Sequence, residues 1–200
     1  MSRVNTERER RVSHVADLRL RRRNGKPTIS GHAAVFGSLS SDLGGFREKI
    51  APGAFSRAIR DKHDTRALFN HDPNRVLGRT PKTLRLREDS VGLKVEIDPP
   101  KSEAGLLELM ERGDVSQMSF GFVVTDDAWD ETPHGNVRTV RDVDLLDVSV
   151  VTYPAYAQTD AAVRSLERWR SSYDSEQAAL HRLNALRLEL ERARGWAFGW

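Results

Sequence analysis

Residues 117–124, QMSFGFVV, alternate with the two-residue period of a β-strand. Met118, Phe120, Phe122 and Val124 point to one side, and Gln117, Ser119, Gly121 and Val123 to the other. The segment has no helical stripe, so it fits only a sheet with the Met/Phe/Val face buried. TLRLREDSVGLKVEID reads as a hairpin, with Leu84 and Leu86 on one arm and Leu93, Val95 and Ile97 on the other. TRALFNHD is an apolar strand that ends in polar residues, and NVRTVRDVDLLDVSVVTYPAY supplies two more strands, the second stopped by Pro154. Helical patterns are fewer. FREKIAPGAFSRAIRD gives a short strand, a Pro-Gly break and a helix with Ala54, Phe55, Ala58 and Ile59 on one face. SEAGLLELMERGD gives a helix with Ser102 as N-cap, a Leu106, Leu109 and Met110 stripe, and Gly113 at the C-terminal cap. Strands that do not alternate regularly with helices exclude a doubly wound sheet. The expectation is an α+β domain, with a barrel-like, mainly antiparallel sheet surrounded by a few helices.

The flanks read differently from this centre. Residues 1–26 hold nine basic side chains against Glu7, Glu9 and Asp17, more than the whole net charge of +3. They are expected to form a basic, solvated arm, with residues 27–163 as the folded domain. Residues 164–200 carry Leu183, Leu186 and Leu190 at helical spacing among charges, an amphipathic C-terminal extension. Such an arm fits nucleic acid or an acidic protein surface. Its salt-dependent DNA affinity would vanish on deleting residues 1–26. The centre has no interleaved aromatic and basic pattern for stacking bases, which weighs against nucleic acid as the partner. There is no cysteine, no apolar leader and no apolar run of membrane-spanning length, so a soluble, unexported protein is expected. HExxH, the GxxxxGK[ST] phosphate loop and paired-histidine spacing are missing, so neither metal nor cofactor is expected.

One chemistry remains open. Ser119 lies next to Gly121 on a nearly bare strand face, where another backbone can approach closely. A serine hydroxyl needs a base to take its proton and a third group to orient that base. His71 stands where the apolar strand ends and a polar turn begins, so its ring can face a cleft from a rigid support; a histidine bonded to nearby backbone is the plain alternative. Asp147 sits among leucine and valine, a costly place for a carboxylate without hydrogen bonds or a cation. QMSFG lacks the first glycine of a nucleophile elbow, which disfavours an α/β-hydrolase.

FREKIAPGAFSRAI, LFNHDPNRVLGRT, GDVSQMSFGF and LLDVSVVTYPAYAQTDA, in that order and at those separations, resemble the tailed-phage prohead maturation serine proteases, relatives of the herpesvirus capsid protease. The resemblance covers about residues 28–163 and implies a herpesvirus-protease-like fold. It implies Ser119 as nucleophile, His71 as general base and Asp147 as the orienting acid, where the family often has glutamate. In the herpesvirus relatives the third member is a histidine, which keeps His32, His63 and His134 open. For the oxyanion, the backbone amide of Phe120 is the first expectation, and Arg138 or Arg141 a second, acting by charge or through a water. The implied function is a serine endopeptidase of capsid maturation, working inside the immature capsid in the host cytoplasm. Its implied substrates are the scaffolding segment of the major capsid protein and its own flanks, with self-association of the chain as a further expectation. A catalytically inactive capsid-binding module of the same fold is the rival.

Overall fold

The structure, a computed structural model, describes residues 7–12, 17–23, 25–153 and 160–196, with side chains of the last segment over 164–187. Among the described residues ten strands form two sheets. The first contains β1 (Glu9–Val12), β4 (Phe46–Ile50), β5 (Arg66–Phe69), β6 (Asp72–Arg79), β9 (Gln117–Thr132) and β10 (Gly135–Val151). Its order is β1-β9-β10-β5-β6, with β4 also on β10. The second contains β2 (Arg19–Arg23), β3 (Lys26–Val35), β7 (Leu84–Glu88) and β8 (Gly92–Ile97), in the order β2-β3-β8-β7. With them, among the described residues, are the α-helices α1 (Ser56–Arg60), α2 (Ala104–Arg112) and α3 (Asp160–Trp196). No helix among the described residues is long and apolar enough to cross a membrane.

The α+β class and the largely antiparallel pairing stand, but the expected barrel does not: the strands divide into two sheets rather than one closed cylinder. The long strand β10 organises the first sheet. It pairs with β9 along one edge, while its other edge takes β4 in parallel over 136–140 and β5 in parallel over 147–150. Bulges at Val140/Asp142 and Leu145/Asp147 separate the two stretches and bend the strand. Alternation in a sequence marks strands and their faces, but not which edges meet.

Met118, Phe120, Phe122 and Val124 are all buried, as their spacing requires, and pack with Phe55, Leu93, Val95, Ile97 and Val148. Phe120 stands edge-on to Phe55 and stacked on Phe122, so the first half of β9 is anchored from its apolar face. The helix at Ala104–Arg112 ends on Gly113 at φ 84°, the left-handed cap its sequence calls for. Its start differs: a 3-10 turn over Lys101–Glu103 precedes it and Ser102 makes no cap bond. Leu107 packs where Leu109 was expected, and Leu109 is exposed.

The basic arm is also corrected. Glu9–Val12 is an edge strand of the first sheet and Arg19–Arg23 an edge strand of the second, so the described part of residues 1–26 is built into the domain. The charge count misled because Glu9 and Arg11 are buried in ion pairs, a state that composition cannot reveal. His14 and Pro154 lie outside the described residues. In α3, Leu166 docks on Leu43 and Phe46, with Trp129 and Trp169 packed alongside, while Leu183 and Leu186 face solvent. Leu190 lies outside the described side chains.

Candidate active site

The hairpin β5–β6 turns through two residues, Asn70 and His71, between the paired Phe69 and Asp72. Both adopt left-handed backbone, at φ 53° and 57°. Tight hairpins favour this conformation, but it is strained for a side chain as large as histidine. Asn70 holds the turn in place. Its backbone N–H donates to the Val150 carbonyl at 2.9 Å, its amide nitrogen to Thr152 Oγ1 at 3.1 Å, and its amide oxygen accepts from the Thr152 N–H at 2.9 Å. The clamp ties the turn to the end of β10 and sets the His71 ring over the β9–β10 ladder.

Ser119 pairs with Ser149 there, and Gly121 with Asp147. Period two puts all four on one face of the sheet. His71 bridges the two strands: Nε2 lies 2.8 Å from Ser119 Oγ and Nδ1 2.5 Å from Asp147 Oδ1. All three residues are buried, Ser119 completely. Gly121 explains part of the bare face, because a Cβ on it would collide with the Asp147 carboxylate. The gap next to the serine is therefore the seat of the acid rather than an opening for another backbone.

Asp147 is the most heavily bonded member. Ser149 donates to its Oδ1 at 2.8 Å, and Arg8 forms an ion pair with its Oδ2. Burial pushes the Asp147 carboxyl up, but the hydrogen bond and charge of His71, with the bonds from Ser149 and Arg8, outweigh this and hold it below the usual value. An ionised Asp147 can keep Nδ1 protonated and leave Nε2 to face the serine.

The hydroxyl of Ser119 has one hydrogen and two acceptors within reach. It donates to the backbone carbonyl of Arg11 at 2.9 Å, and His71 Nε2 is the other. Arg11 is on β1, which runs antiparallel along the free edge of β9 with Val12 opposite Ser119 and Arg11 opposite Phe120. The chain's own backbone thus lies against the serine.

The other sequence candidates fall elsewhere. Phe120 turns its side chain into the core, leaving only its backbone beside Ser119. Arg138 is buried among Glu9, Glu48 and Asp127, and Arg141 is exposed at the β10 bulge. Neither has a polar contact with the Ser119, His71 and Asp147 group among the described residues. Of the alternative histidines, His32 lies between Asp17 and Asp89, His63 is part of a groove beside the site, and His134 is exposed in the β9–β10 turn. Among the described residues no group of His, Asp or Glu is placed to hold a metal ion. Sequence reasoning missed Asn70, Ser149, Arg8 and Arg11. Ser149 was within reach, since Asp147 and Ser149 share a face by spacing alone.

A serine, a histidine and an aspartate in one hydrogen-bonded line, reached by an extended backbone, form the working arrangement of a serine peptidase. A model of the caudovirus prohead serine proteases matches residues 15–172. The prohead protease of Enterobacteria phage HK97 is 34% identical over 159 residues, covering 76% of this chain and 68% of that protein. No solved structure matches the chain. The chain belongs to the caudovirus prohead serine protease family, and it is a serine endopeptidase of capsid maturation.

Proposed function

We propose that Ser119 is the nucleophile, His71 the general base and then general acid, and Asp147 the group that fixes the imidazole tautomer. The observation that carries this reading is His71 held by one ring nitrogen to Ser119 and by the other to Asp147. Ser119 Oγ attacks a substrate carbonyl carbon as its proton passes to Nε2. His71 returns that proton to the leaving amine, and water then hydrolyses the acyl-enzyme by the same route. Asp147, kept ionised, offsets the imidazolium charge. The Phe120 amide is the nearest expected oxyanion donor, whereas Arg138 is committed to carboxylates and Arg141 to solvent.

The substrate is the scaffolding segment of the phage major capsid protein, cut within the immature capsid in the host cytoplasm, together with flanks of the protease itself. The part of α3 beyond residue 164 acts as an extension outside the catalytic unit, with the exposed Leu183 and Leu186 available to a capsid component or a second copy. A nucleic-acid role for the arm is disfavoured because Arg8 and Arg11 are engaged by Asp147 and Glu48. The test is co-expression with the neighbouring capsid gene, followed by mass spectrometry of the capsid protein. The wild-type chain should yield a shortened capsid protein and Ser119→Ala only the full-length one. Full-length capsid protein from both would favour the inactive-module reading.

A further inference from the structure

We propose that β1 occupies the substrate position, that the Arg11–Val12 peptide bond is a self-cleavage site, and that Glu48 selects a basic residue on the acyl side of the cut bond. This rests on the catalytic reading of Ser119 above.

The strand is placed as an added substrate strand would be. Main-chain pairing with β9 supplies the register, and alternate side chains are read on the two faces. Glu9 and Arg11 turn toward the Phe120 and Phe122 face, and Arg8, Arg10 and Val12 toward the Ser119 face. The carbonyl that meets Ser119 Oγ belongs to Arg11, so the Arg11 side chain is the one a specificity pocket would read.

That pocket is built of charge. Arg11 Nε donates to Glu48 Oε1 at 2.9 Å and Nη2 to Glu48 Oε2 at 3.1 Å, a two-point grip that matches guanidinium geometry. Its guanidinium also lies 5.5 Å from the Phe122 ring centre. Two residues earlier, Glu9 accepts from Arg138 Nη1 through both carboxylate oxygens at 3.0 Å. Arg138 is in turn fixed by Glu48 at 3.1 Å and Asp127 at 2.7 Å.

Removing β1 leaves the buried Glu48 and Arg138 with the part-exposed Asp127, a group that carries one negative charge in excess with or without the strand. Glu9 and Arg11 bring no net charge but complete every pairing. Buried ion pairs of this kind add little to stability, because desolvation consumes most of their attraction; they discriminate well between partners. A four-residue edge strand held by such pairs is constructed for recognition. The substrate it predicts is an extended segment with Arg or Lys before the cut and an acidic residue two positions earlier.

The chemistry balances with water as the second reactant. Ser119 Oγ bonds to the Arg11 carbonyl carbon while its proton moves to His71 Nε2. The Arg11–Val12 C–N bond then breaks and that proton goes to the Val12 amine. Water hydrolyses the ester, releasing residues 1–11 with a free Arg11 carboxyl. In the seated state the hydroxyl hydrogen points to the Arg11 oxygen, so attack waits for that oxygen to turn to backbone donors. Departure of β1 also removes Arg8 from Asp147 and opens the edge of β9 to substrate.

The experiment follows the full chain by intact mass and N-terminal sequencing, and in parallel supplies a peptide spanning residues 5–16. A new N-terminus at Val12 is expected, and none in Ser119→Ala. In the peptide, Arg11→Lys should keep cleavage at this bond, Arg11→Ala lose it on the order of 100-fold, and the Arg10→Ala control change little. Glu48→Gln should bring the Arg and Ala peptides to within a few-fold of each other. If that variant does not fold, the peptide series on the wild-type chain decides. An intact N-terminus, a cut elsewhere, or equal cleavage of the Arg and Ala peptides by a chain that still shortens the capsid protein overturns this inference and leaves the proposed function standing. No cleavage of capsid protein, peptide or self overturns both.

Discussion

Asp147→Asn tests the orienting role most directly, because the amide keeps the volume and removes the charge. Oδ1 receives His71 at 2.5 Å and Ser149 at 2.8 Å, while Oδ2 receives Arg8. An asparagine has one oxygen for these two places. A guanidinium can only donate, whereas a histidine ring and a hydroxyl can each reverse roles. The amide oxygen therefore settles toward Arg8 and the NH₂ toward His71 Nδ1, which drives the ring to its Nε2–H tautomer. That tautomer cannot accept the Ser119 proton. Turnover should fall by about 10⁴-fold, equivalent to about 5.4 kcal/mol of barrier. The stability cost is smaller. One buried hydrogen bond is worth about 1 kcal/mol, and the ion pair with the half-exposed Arg8 about 1 kcal/mol or less, so the melting temperature should drop by about 2–8 °C. The assay is the rate of the first self-cleavage of the full chain, in which Arg8 is still seated on Asp147, with a parallel melt. Adding Arg8→Ala should restore part of the rate, since the amide is then free to turn. Turnover within tenfold of the parent, or a double variant no faster than the single, would refute the reasoning. A melting loss far beyond this range would make Asp147 a structural carboxylate.

Gly121→Ala places a methyl group against the Asp147 carboxylate and 3.3 Å from Arg8 Nη2; it should cost about 1–3 kcal/mol by overpacking and displace the acid, so a melt and a turnover rate equal to the parent's would count against the assigned seat. Asn70→Gly suits the left-handed backbone but deletes the clamp on Thr152, and turnover should fall about 10–100-fold with little change in melting temperature. A rate loss matched by unfolding would show the clamp to be structural only. Asp89 titrates at about 2 rather than 3.8: burial pushes it up, but the Val91 amide, the His32 ring and the Gly92 amide outweigh that. A carboxyl depressed in the folded state adds stability above its unfolded value and loses it as pH falls through the folded one. Asp89→Asn should therefore flatten the acid-unfolding curve between about pH 4 and pH 2, and an unchanged curve would remove Asp89 from that account.

What could be read from the sequence was whatever depends on neighbours two, three or four residues away. The two faces of β9, the hairpin of β7 and β8, the cap at Gly113 and the isolated acid at Asp147 all have local causes, and the structure has each of them. Ser119 drew notice by its bare surroundings, and that surface is indeed special, though the Asp147 carboxylate fills it rather than substrate. The parts that failed depend on distant pairing. Arg8 and Arg11 read as solvated cations because nothing near them in sequence says that Asp147, 139 positions from Arg8, and Glu48, 37 positions from Arg11, will neutralise them. The same failure made Arg138 an oxyanion candidate: a cation on the strand adjoining Ser119 is the right charge in about the right place until its three carboxylates are counted. These errors share one origin. In sequence the arm stands apart from the centre, and the buried charges that hold it have no partner until β1 is laid on the edge of β9. Once it is there, the arm's charge becomes the content of the site: an acidic and a basic side chain, two residues apart, held in register against a serine.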